Sequence, residues 1–248
     1  MRLFAAGIMT VGLALTTGLS PAGAQTAPPG FTSLFNGKDL TGWKIPEGDN
    51  GHWKVVNGVI DYDARSEAPK DKNLWSEKSY KDFVLRVDWR ITATPFRNKD
   101  VRIVMPDGSE KLDENGQVIK IEVPDSDSGI FIRGSGKAQV NIWNWPVGSG
   151  EFYGYRTDRN MPQAIKAAVT PKYNADKNIG EWNTFEITMK GDRVTVVLNG
   201  KTVVENAQLP GIPAEGPLAL QHHGTFRDGR FLGPPSLVQF RNIFIKEL

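Results

Sequence analysis

Phe83-Val84-Leu85-Arg86-Val87-Asp88-Trp89-Arg90-Ile91 is the stretch that decides the fold class of this chain. Apolar and charged residues alternate along it, and residues two apart in an extended chain share one face. Leu85 and Trp89 therefore lie on one face, and Arg86 and Asp88 lie on the other. The pattern predicts a β-strand with one buried face.

Other segments repeat this pattern, and helical periodicity is hard to find. Thr184–Met189 and Arg193–Leu198 are short apolar runs, and Asn199-Gly200 joins the second run to Lys201–Val204. Asn-Gly between apolar runs is a strong hairpin signal. Ser236–Glu247 is predicted to be a closing strand. Many short strands with turn residues between them favour an all-β sandwich or barrel.

Two longer stretches interrupt the strands. Residues 92–124 contain turn residues and many charges, which predict a solvated hairpin. Residues 158–180 are predicted to form one or two helical turns before Pro171. Loops of this length in a sandwich are often functional and can form the wall of a cleft.

The N-terminus is typical of an exported protein. Arg2 precedes an apolar run that ends in small residues, which predicts a signal peptide over residues 1–24 with cleavage after Ala24. Thr16 and Pro21 interrupt the run before it reaches the length of a membrane span. We expect one domain over residues 25–248, located in the periplasm or secreted, with no membrane contact after cleavage.

The composition limits the partners. The formal net charge is +2 and no basic run is present, so a nucleic-acid partner is not expected. The chain has no cysteine, so its core must hold it together without disulfides. Seven tryptophans are more than most domains of this size contain, and they suit a surface that stacks sugar rings. The sequence does not indicate an oligomeric state.

Strand alternation gathers polar side chains on one open face. Ile130 and Ile132 face the core, as do Ile142 and Leu220, and the residues between them face outward. His222 is expected on the core side or at a strand end. The predicted open-face set is Asp127, Arg133, Gln139, Asn141, Trp143, Gln221 and His223.

These residue types suit a sugar, because amides and a guanidinium bind hydroxyl and carbonyl groups and an indole stacks on a ring. Structural roles remain open: Arg133 could pair with an acid across strands, and His223 could be a strand-end histidine. We expect Trp143 and Trp145 to be exposed. No spaced set of histidines and carboxylates indicates zinc; no cofactor is predicted with certainty, and a divalent metal is left open.

A series of motifs gives a further expectation. In chain order they are Phe31–Trp43, Trp53–Ile60, Leu74-Trp75-Ser76, Asp82–Leu85, Asp127–Arg133, Gly180–Thr184, Leu198-Asn199-Gly200, Leu220–Gly224 and Val238–Ile243. Together they resemble the bacterial 3-keto-disaccharide hydrolase domain family over nearly the whole chain after residue 24.

The resemblance implies a concanavalin A-like lectin/glucanase jelly-roll β-sandwich that acts on glycosides already oxidised at C3. A carbonyl at C3 acidifies the C2 proton, so a base can remove it and the group on C1 is expelled; water then adds back. Such a site needs a base and a group that stabilises the enolate. The expected roles are His223 as base, Arg133 as stabiliser and Trp143 as sugar platform.

One position departs from the resemblance. Gln139 stands where members of the family often carry a glutamate. Either Glu151, Asp88 or Glu186 takes over the role of that carboxylate, or the protein belongs to a subgroup with altered chemistry or with binding alone. The Gly- and aromatic-rich segment 145–155 is expected to line the site through Glu151 and Tyr153. The predicted catalytic residues are His223, Arg133 and Glu151, and the predicted substrate-binding residues are Asp127, Gln139, Asn141, Trp143, Tyr153 and Gln221.

Three other functions remain open. The missing carboxylate and the aromatic segment suit a non-catalytic carbohydrate-binding module. A laminarinase-like glycoside hydrolase would need two facing carboxylates, for which no closely spaced acidic motif is present. A purely structural or protein-binding role is the third alternative, because one fold can serve many functions.

Overall fold

The computed structural model describes residues 26–248. The predicted signal peptide lies outside the described residues and stays a prediction. The strands are β1 (Thr32–Ser33), β2 (Trp43–Lys44), β3 (Trp53–Val56), β4 (Val59–Tyr62), β5 (Leu74–Tyr80), β6 (Phe83–Ile91), β7 (Phe96–Arg102), β8 (Lys120–Asp125), β9 (Asp127–Phe131), β10 (Gln139–Trp143), β11 (Asn183–Lys190), β12 (Arg193–Leu198), β13 (Lys201–Gln208), β14 (Gly216–Leu220), β15 (Phe226–Arg227), β16 (Arg230–Phe231) and β17 (Val238–Glu247). Two short helices are α1 (Tyr153–Arg156) and α2 (Gln163–Ala168).

Two antiparallel sheets form the body of the protein. The larger sheet has the order β13-β12-β11-β6-β17-β4-β3, with β1 also paired to β17. The smaller sheet has the order β10-β9-β14-β5-β2. The prediction of an all-β fold is confirmed.

The core lies between the two sheets. Along β6 buried and half-buried residues alternate at every position, as the sequence predicts. Leu85 and Val87 of the larger sheet belong to the same buried cluster as Ile130, Val140 and Leu220 of the smaller one. Because one face of the smaller sheet is used for this packing, its other face is free to carry polar side chains.

The hairpin predicted at Asn199-Gly200 is confirmed, since β12 and β13 pair around it. Both turn residues have positive φ, 52° at Asn199 and 79° at Gly200, as a type I′ turn requires. The closing strand is also confirmed as β17, which pairs with β6 at the centre of the larger sheet.

The stretch predicted as a solvated hairpin is the separate β7–β8 ribbon, but one side of it is packed. Val101 is fully buried in a cluster with Trp143, Trp145 and Val147. The ribbon therefore forms a wall above the smaller sheet. The helical turns predicted before Pro171 are α2.

No helix within residues 26–248 is long and apolar enough to cross a membrane.

Candidate functional site

The outer face of the smaller sheet carries the candidate site. On neighbouring strands β10 and β9, Trp143 lies opposite Asp127, and Asn141 lies opposite Gly129. The chain after β14 continues this face, because the Gln221 N–H donates to the Gly129 carbonyl at 2.9 Å. Side chains that are distant in sequence thus meet over three strands.

These side chains surround a cleft of about 280 Å³. Its lining residues are Asn98, Asp127, Gln139, Asn141, Trp143, Trp145, Tyr153, Gln221, His223 and Pro234. Seven of the nine residues predicted for the site are among them. The other two, Arg133 and Glu151, lie elsewhere.

Aromatic rings form one wall of the cleft. Trp143 and Trp145 stack with ring centroids 4.2 Å apart, and Tyr153 meets Trp143 edge-on at 5.9 Å. The prediction that both tryptophans are exposed is wrong: they are 2% and 9% exposed. The β7–β8 ribbon packs against them, and only a small part of each side chain is left to line the cleft.

Asp127 and His223 face each other in the cleft. His223 Nε2 lies 3.9 Å from Asp127 Oδ2. Burial raises the pKa of Asp127 to about 7, with the nearby charges of Asp125 and Glu151 acting in the same direction. His223 opposes this shift in the pKa of Asp127. The cleft therefore contains a carboxyl group that can hold a proton near neutral pH.

The backbone fixes the orientation of this pair. His223 Nδ1 lies 2.7 Å from the Pro234 carbonyl oxygen, which can only accept, so Nδ1 carries the proton and Nε2 faces Asp127. The Ser236 hydroxyl accepts from the His223 N–H and donates to the Asp127 carbonyl. One serine thus connects the two strand ends that carry the pair.

Two amides cross the floor of the cleft. Gln139 Nε2 donates to the Ser128 carbonyl and to Gln221 Oε1. Gly129 makes room for this arrangement, because a Cβ there would lie 2.3 Å from Gln139 Nε2. The Gln139 oxygen and the Gln221 amide nitrogen are left to contact a ligand.

Two other polar groups have no partner within residues 26–248. These are the side-chain amide of Asn141 and the hydroxyl of Tyr153, for which the structure contains no hydrogen bond. Asn141 is only 3% exposed, yet it lines the cleft. Polar groups in such positions are usually satisfied by water or by a ligand.

Arg133 does not lie on the open face, which corrects the prediction. β9 ends at Phe131, and Arg133 adopts a left-handed backbone with φ of 50°, so the strand alternation no longer applies to it. Its guanidinium is buried against Asp82 at 2.8 Å. It also donates to the carbonyls of Lys81, Gly191 and Pro213.

The prediction that Glu151 lines the site is also wrong. It is fully buried behind the cleft, and its carboxylate pairs with the guanidinium of Arg156 in α1. Burial raises the pKa of Glu151 to about 7, and Arg156 works against this rise. Because Glu151 does not line the cleft, it cannot replace the expected glutamate.

The other two suggested carboxylates lie on the larger sheet. Asp88 accepts hydrogen bonds from Thr184 and Asn242 on the outer face of that sheet. Glu186 lies opposite Arg86 on the same sheet, with its side chain 46% exposed. Asp127 is the carboxylate of the cleft instead.

His222 points away from its neighbour, as expected. The Tyr62 hydroxyl contacts its Nδ1 at 2.5 Å, and burial lowers the pKa of His222 to about 4. Tyr62 in turn stacks on Trp53 at 3.7 Å. His222 therefore supports the strand end and stays out of the cleft.

Asn98 and Pro234 line the cleft without having been predicted. Asn98 comes from the β7–β8 ribbon and donates to the buried Asp125 at 2.7 Å. Pro234 follows the β15–β16 hairpin. Nothing in their local sequence points to the cleft; only the packing of the two hairpins brings them there.

Within the described part of the chain, no group of three or more histidine and carboxylate side chains could hold a metal ion.

The comparisons with known proteins identify the family. The family model described as the 3-keto-alpha-glucoside-1,2-lyase-like domain matches residues 30–246. The chain belongs to this family, which confirms the resemblance found in its motifs. A comparison with curated proteins gave no match.

Two solved structures from Parabacteroides distasonis, each named as a candidate glycosyl hydrolase, are similar to this chain. One is 23% identical with a TM-score of 0.56, over 99% of this chain and 94% of its own. The other is 22% identical with a TM-score of 0.53, over 88% of this chain and 94% of its own. At these identities the likeness shows the fold alone. Family membership supports a carbohydrate-active function.

Proposed function

We propose, from membership in the 3-keto-alpha-glucoside-1,2-lyase-like family, that this protein cleaves 3-keto-glycosides by elimination at C1 and rehydration. The observation that carries the proposal is the facing pair of Asp127 and His223 in the cleft. The two antiparallel sheets suit a concanavalin A-like jelly roll. The N-terminal sequence supports action in the periplasm or outside the cell.

The C3 carbonyl of the substrate makes this chemistry accessible. It acidifies the proton on C2, so a base of ordinary strength can remove it and leave an enolate. The enolate then expels the oxygen on C1. The glycosidic bond breaks without an oxocarbenium ion, so the two catalytic carboxylates of ordinary glycosidases are not needed.

Asp127 and His223 divide the proton transfers between them. His223 Nε2 takes the C2 proton, because Nδ1 is already held by Pro234. Asp127, whose pKa of about 7 leaves a large fraction of it protonated at neutral pH, gives its proton to the leaving oxygen. Water then adds to C1, returning a proton to Asp127, and the imidazolium returns a proton to C2. Both groups end as they began.

Neutral donors stabilise the enolate oxygen in place of Arg133. The Asn141 amide and the Tyr153 hydroxyl both line the cleft. Donors placed where charge develops in a water-poor site lower the barrier by several kcal/mol, about 3 for a single donor. No lysine or arginine is among the lining residues, so this part of the role predicted for Arg133 passes to uncharged groups.

The remaining lining residues suit the sugar. The Gln139 oxygen and the Gln221 nitrogen can bind hydroxyl groups, and the exposed parts of Trp143 and Trp145 offer apolar surface.

A non-catalytic carbohydrate-binding module is the second candidate. The feature that favours it is the glutamine at position 139, whose amide is already used within the sheet. A laminarinase-like hydrolase is disfavoured, because Asp127 is the only carboxylate among the residues that line the cleft, and that mechanism needs two.

The test is release of 3-keto-glucose from a 3-keto-glucoside by the purified protein, with the unoxidised glucoside beside it. We expect release from the oxidised substrate only. His223→Ala and Asp127→Asn should each lower kcat/KM by about 100-fold or more, since each removes one proton transfer. Asp228→Asn, an exposed aspartate on the β15–β16 hairpin, is the matched control.

The pH dependence adds a second readout. Asp127 must be protonated to act as an acid, so activity should decline as the pH rises above about 7. Binding of the glucosides without release of product from either would instead support the binding module.

A further inference from the structure

A second groove lies beside the cleft. It has a volume of about 400 Å³. It runs between the connection from β7 to β8, residues 103–119, and the segment that carries α1 and α2. Four of its lining residues are cations, namely Arg102, Arg156, Arg159 and Lys166, and Glu110 is the one lining carboxylate.

The acids near the groove do not balance this charge. Glu110 is shared between Arg102, at 2.7 Å, and Arg156, at 3.8 Å. In the described chain neither Arg159 nor Lys166 makes an ion pair. Asp158 is already paired with Lys137, which lowers the pKa of that carboxyl, and Lys166 lies near enough to add to this effect. Arg159 and Lys166 can therefore still meet an anion from outside.

Arg156 gives an independent sign that the groove is incompletely satisfied. Its side chain is 2% exposed, and its Nη2 has no hydrogen-bond partner in the described structure, although Glu151 Oε1 pairs with Nε. Glu151 Oε2 also lacks a partner, so the buried pair is incompletely satisfied on both sides. A buried guanidinium N–H without an acceptor is costly. An oxygen-rich anion bound in the groove would lower this cost by adding negative charge beside the guanidinium.

The groove begins where the cleft ends. The ring of Tyr153 lines the cleft and lies 5.4 Å from the Arg156 guanidinium carbon, which lies in the wall of the groove. A ligand whose sugar occupies the cleft can therefore extend past one aromatic ring to reach the cations.

We propose that the groove binds an anionic group, a carboxylate or a phosphate, on the leaving group of the glycoside. This inference rests on the proposed function, because it assumes that the sugar occupies the cleft. Arginine favours such groups, since its planar fork matches two of their oxygens.

The test compares two unoxidised glucosides by calorimetry, so it needs no turnover. One has a 4-carboxyphenyl aglycone and the other has the neutral 4-carbamoylphenyl aglycone of similar shape. We expect the carboxylate to bind about tenfold more tightly at low salt. Replacing Arg159 and Lys166 together by alanine should remove this preference and leave the neutral glucoside unaffected.

Arg227→Ala with Arg230→Ala, an exposed pair on the β15–β16 hairpin, is the control and should change neither affinity. Equal affinity for the two glucosides, or no binding of either, overturns the proposal. Binding of inorganic phosphate without a preference between the glucosides also overturns it, because the groove would then hold a free anion. Failure of the proposed reaction is seen separately, as absence of turnover with oxidised substrates.

Discussion

Asp127 has a side chain that is 17% exposed and shares its surroundings with other acids. Such burial disfavours the ionised form, which is why the pKa of Asp127 rises. The burial that suits Asp127 to proton transfer also means that its ionised form destabilises the folded state. Groups with perturbed pKa values often mark functional sites for this reason.

Asp127→Asn should therefore stabilise the protein at alkaline pH. The folded pKa of about 7 lies above the unfolded value near 3.8, so the wild type loses stability as the pH rises between the two. The amide has no charge to bury. We expect a gain on the order of 3 kcal/mol in the free energy of unfolding at about pH 8, and little gain at about pH 4.

Urea unfolding at the two pH values measures this difference, with Asp228→Asn as the exposed control. An equal effect of Asp127→Asn at both pH values would contradict the raised pKa of Asp127.

Arg133→Met is predicted to destabilise the fold without a specific effect on catalysis. Arg133 pairs with Asp82 and donates to three backbone carbonyls. Removing its buried charge leaves these groups without their donor and lowers the free energy of unfolding by about 3 kcal/mol or more. Arg193→Met, at an exposed site on β12, should cost less than about 0.5 kcal/mol. Urea unfolding and kcat per folded molecule measure the two effects, and lost activity at unchanged stability would restore the catalytic role for Arg133.

At the scale of elements, the strand pattern predicts the site well where the pleat is regular. Alternation placed Gln139, Asn141 and Trp143 correctly, because β10 stays in register with β9 along its whole length. It failed at Arg133, two residues beyond the end of β9, where the backbone becomes left-handed. Glu151 lies beyond the strand end as well, and no periodicity could show that an arginine of α1 would bury it.

The sequence could not predict which residues the two hairpins place in the cleft, for a different reason. Asn98 and Pro234 reach the cleft only because the β7–β8 ribbon and the β15–β16 hairpin fold over the smaller sheet. Such contacts join segments far apart in the chain, and local sequence carries no signal of them.

The base of the β15–β16 hairpin, where Gly224 before the hairpin meets Pro234 after it, gives a test at this scale. Gly224 has φ of 85°, and a Cβ there would lie 2.9 Å from the Pro234 carbonyl oxygen, the acceptor of His223. We expect Gly224→Ala to displace that carbonyl and free the His223 ring, lowering kcat/KM by about tenfold or more. Nitrogen NMR of the imidazole would report loss of the single tautomer.

Gly229→Ala is the matched control, because Gly229 has φ of 75° and no atom lies within 4 Å of its added Cβ. Both substitutions carry similar backbone strain, about 1 kcal/mol or more. If both lowered kcat/KM equally, strain alone would explain the loss and the Pro234 contact would have no special role.

Across the whole molecule, buried carboxyl groups set the dependence of stability on pH. Burial raises the pKa values of Asp125 and Asp176, as it does at Asp127 and Glu151. Each such group lowers stability as the pH rises from its unfolded towards its folded pKa. His222 acts oppositely, since its lowered pKa makes stability rise between about pH 4 and 6.5.

Because the two carboxyl groups with pKa values of about 7 outweigh the single histidine, we expect Tm to fall between about pH 4.5 and 7 and then to level off. Calorimetry across this range measures the curve. A Tm that rises from about pH 4.5 to 7 would contradict the burial of these carboxyl groups.

The segment that follows β10 has one more consequence. β10 is the edge of the smaller sheet, and the backbone of Gly150 and Glu151 hydrogen-bonds to Asn141 along that edge. An open strand edge is a template on which other chains can add and aggregate. The segment that buries Glu151 behind the cleft therefore also covers this edge and disfavours self-association. A substitution that loosens the segment should produce aggregates as well as an altered site.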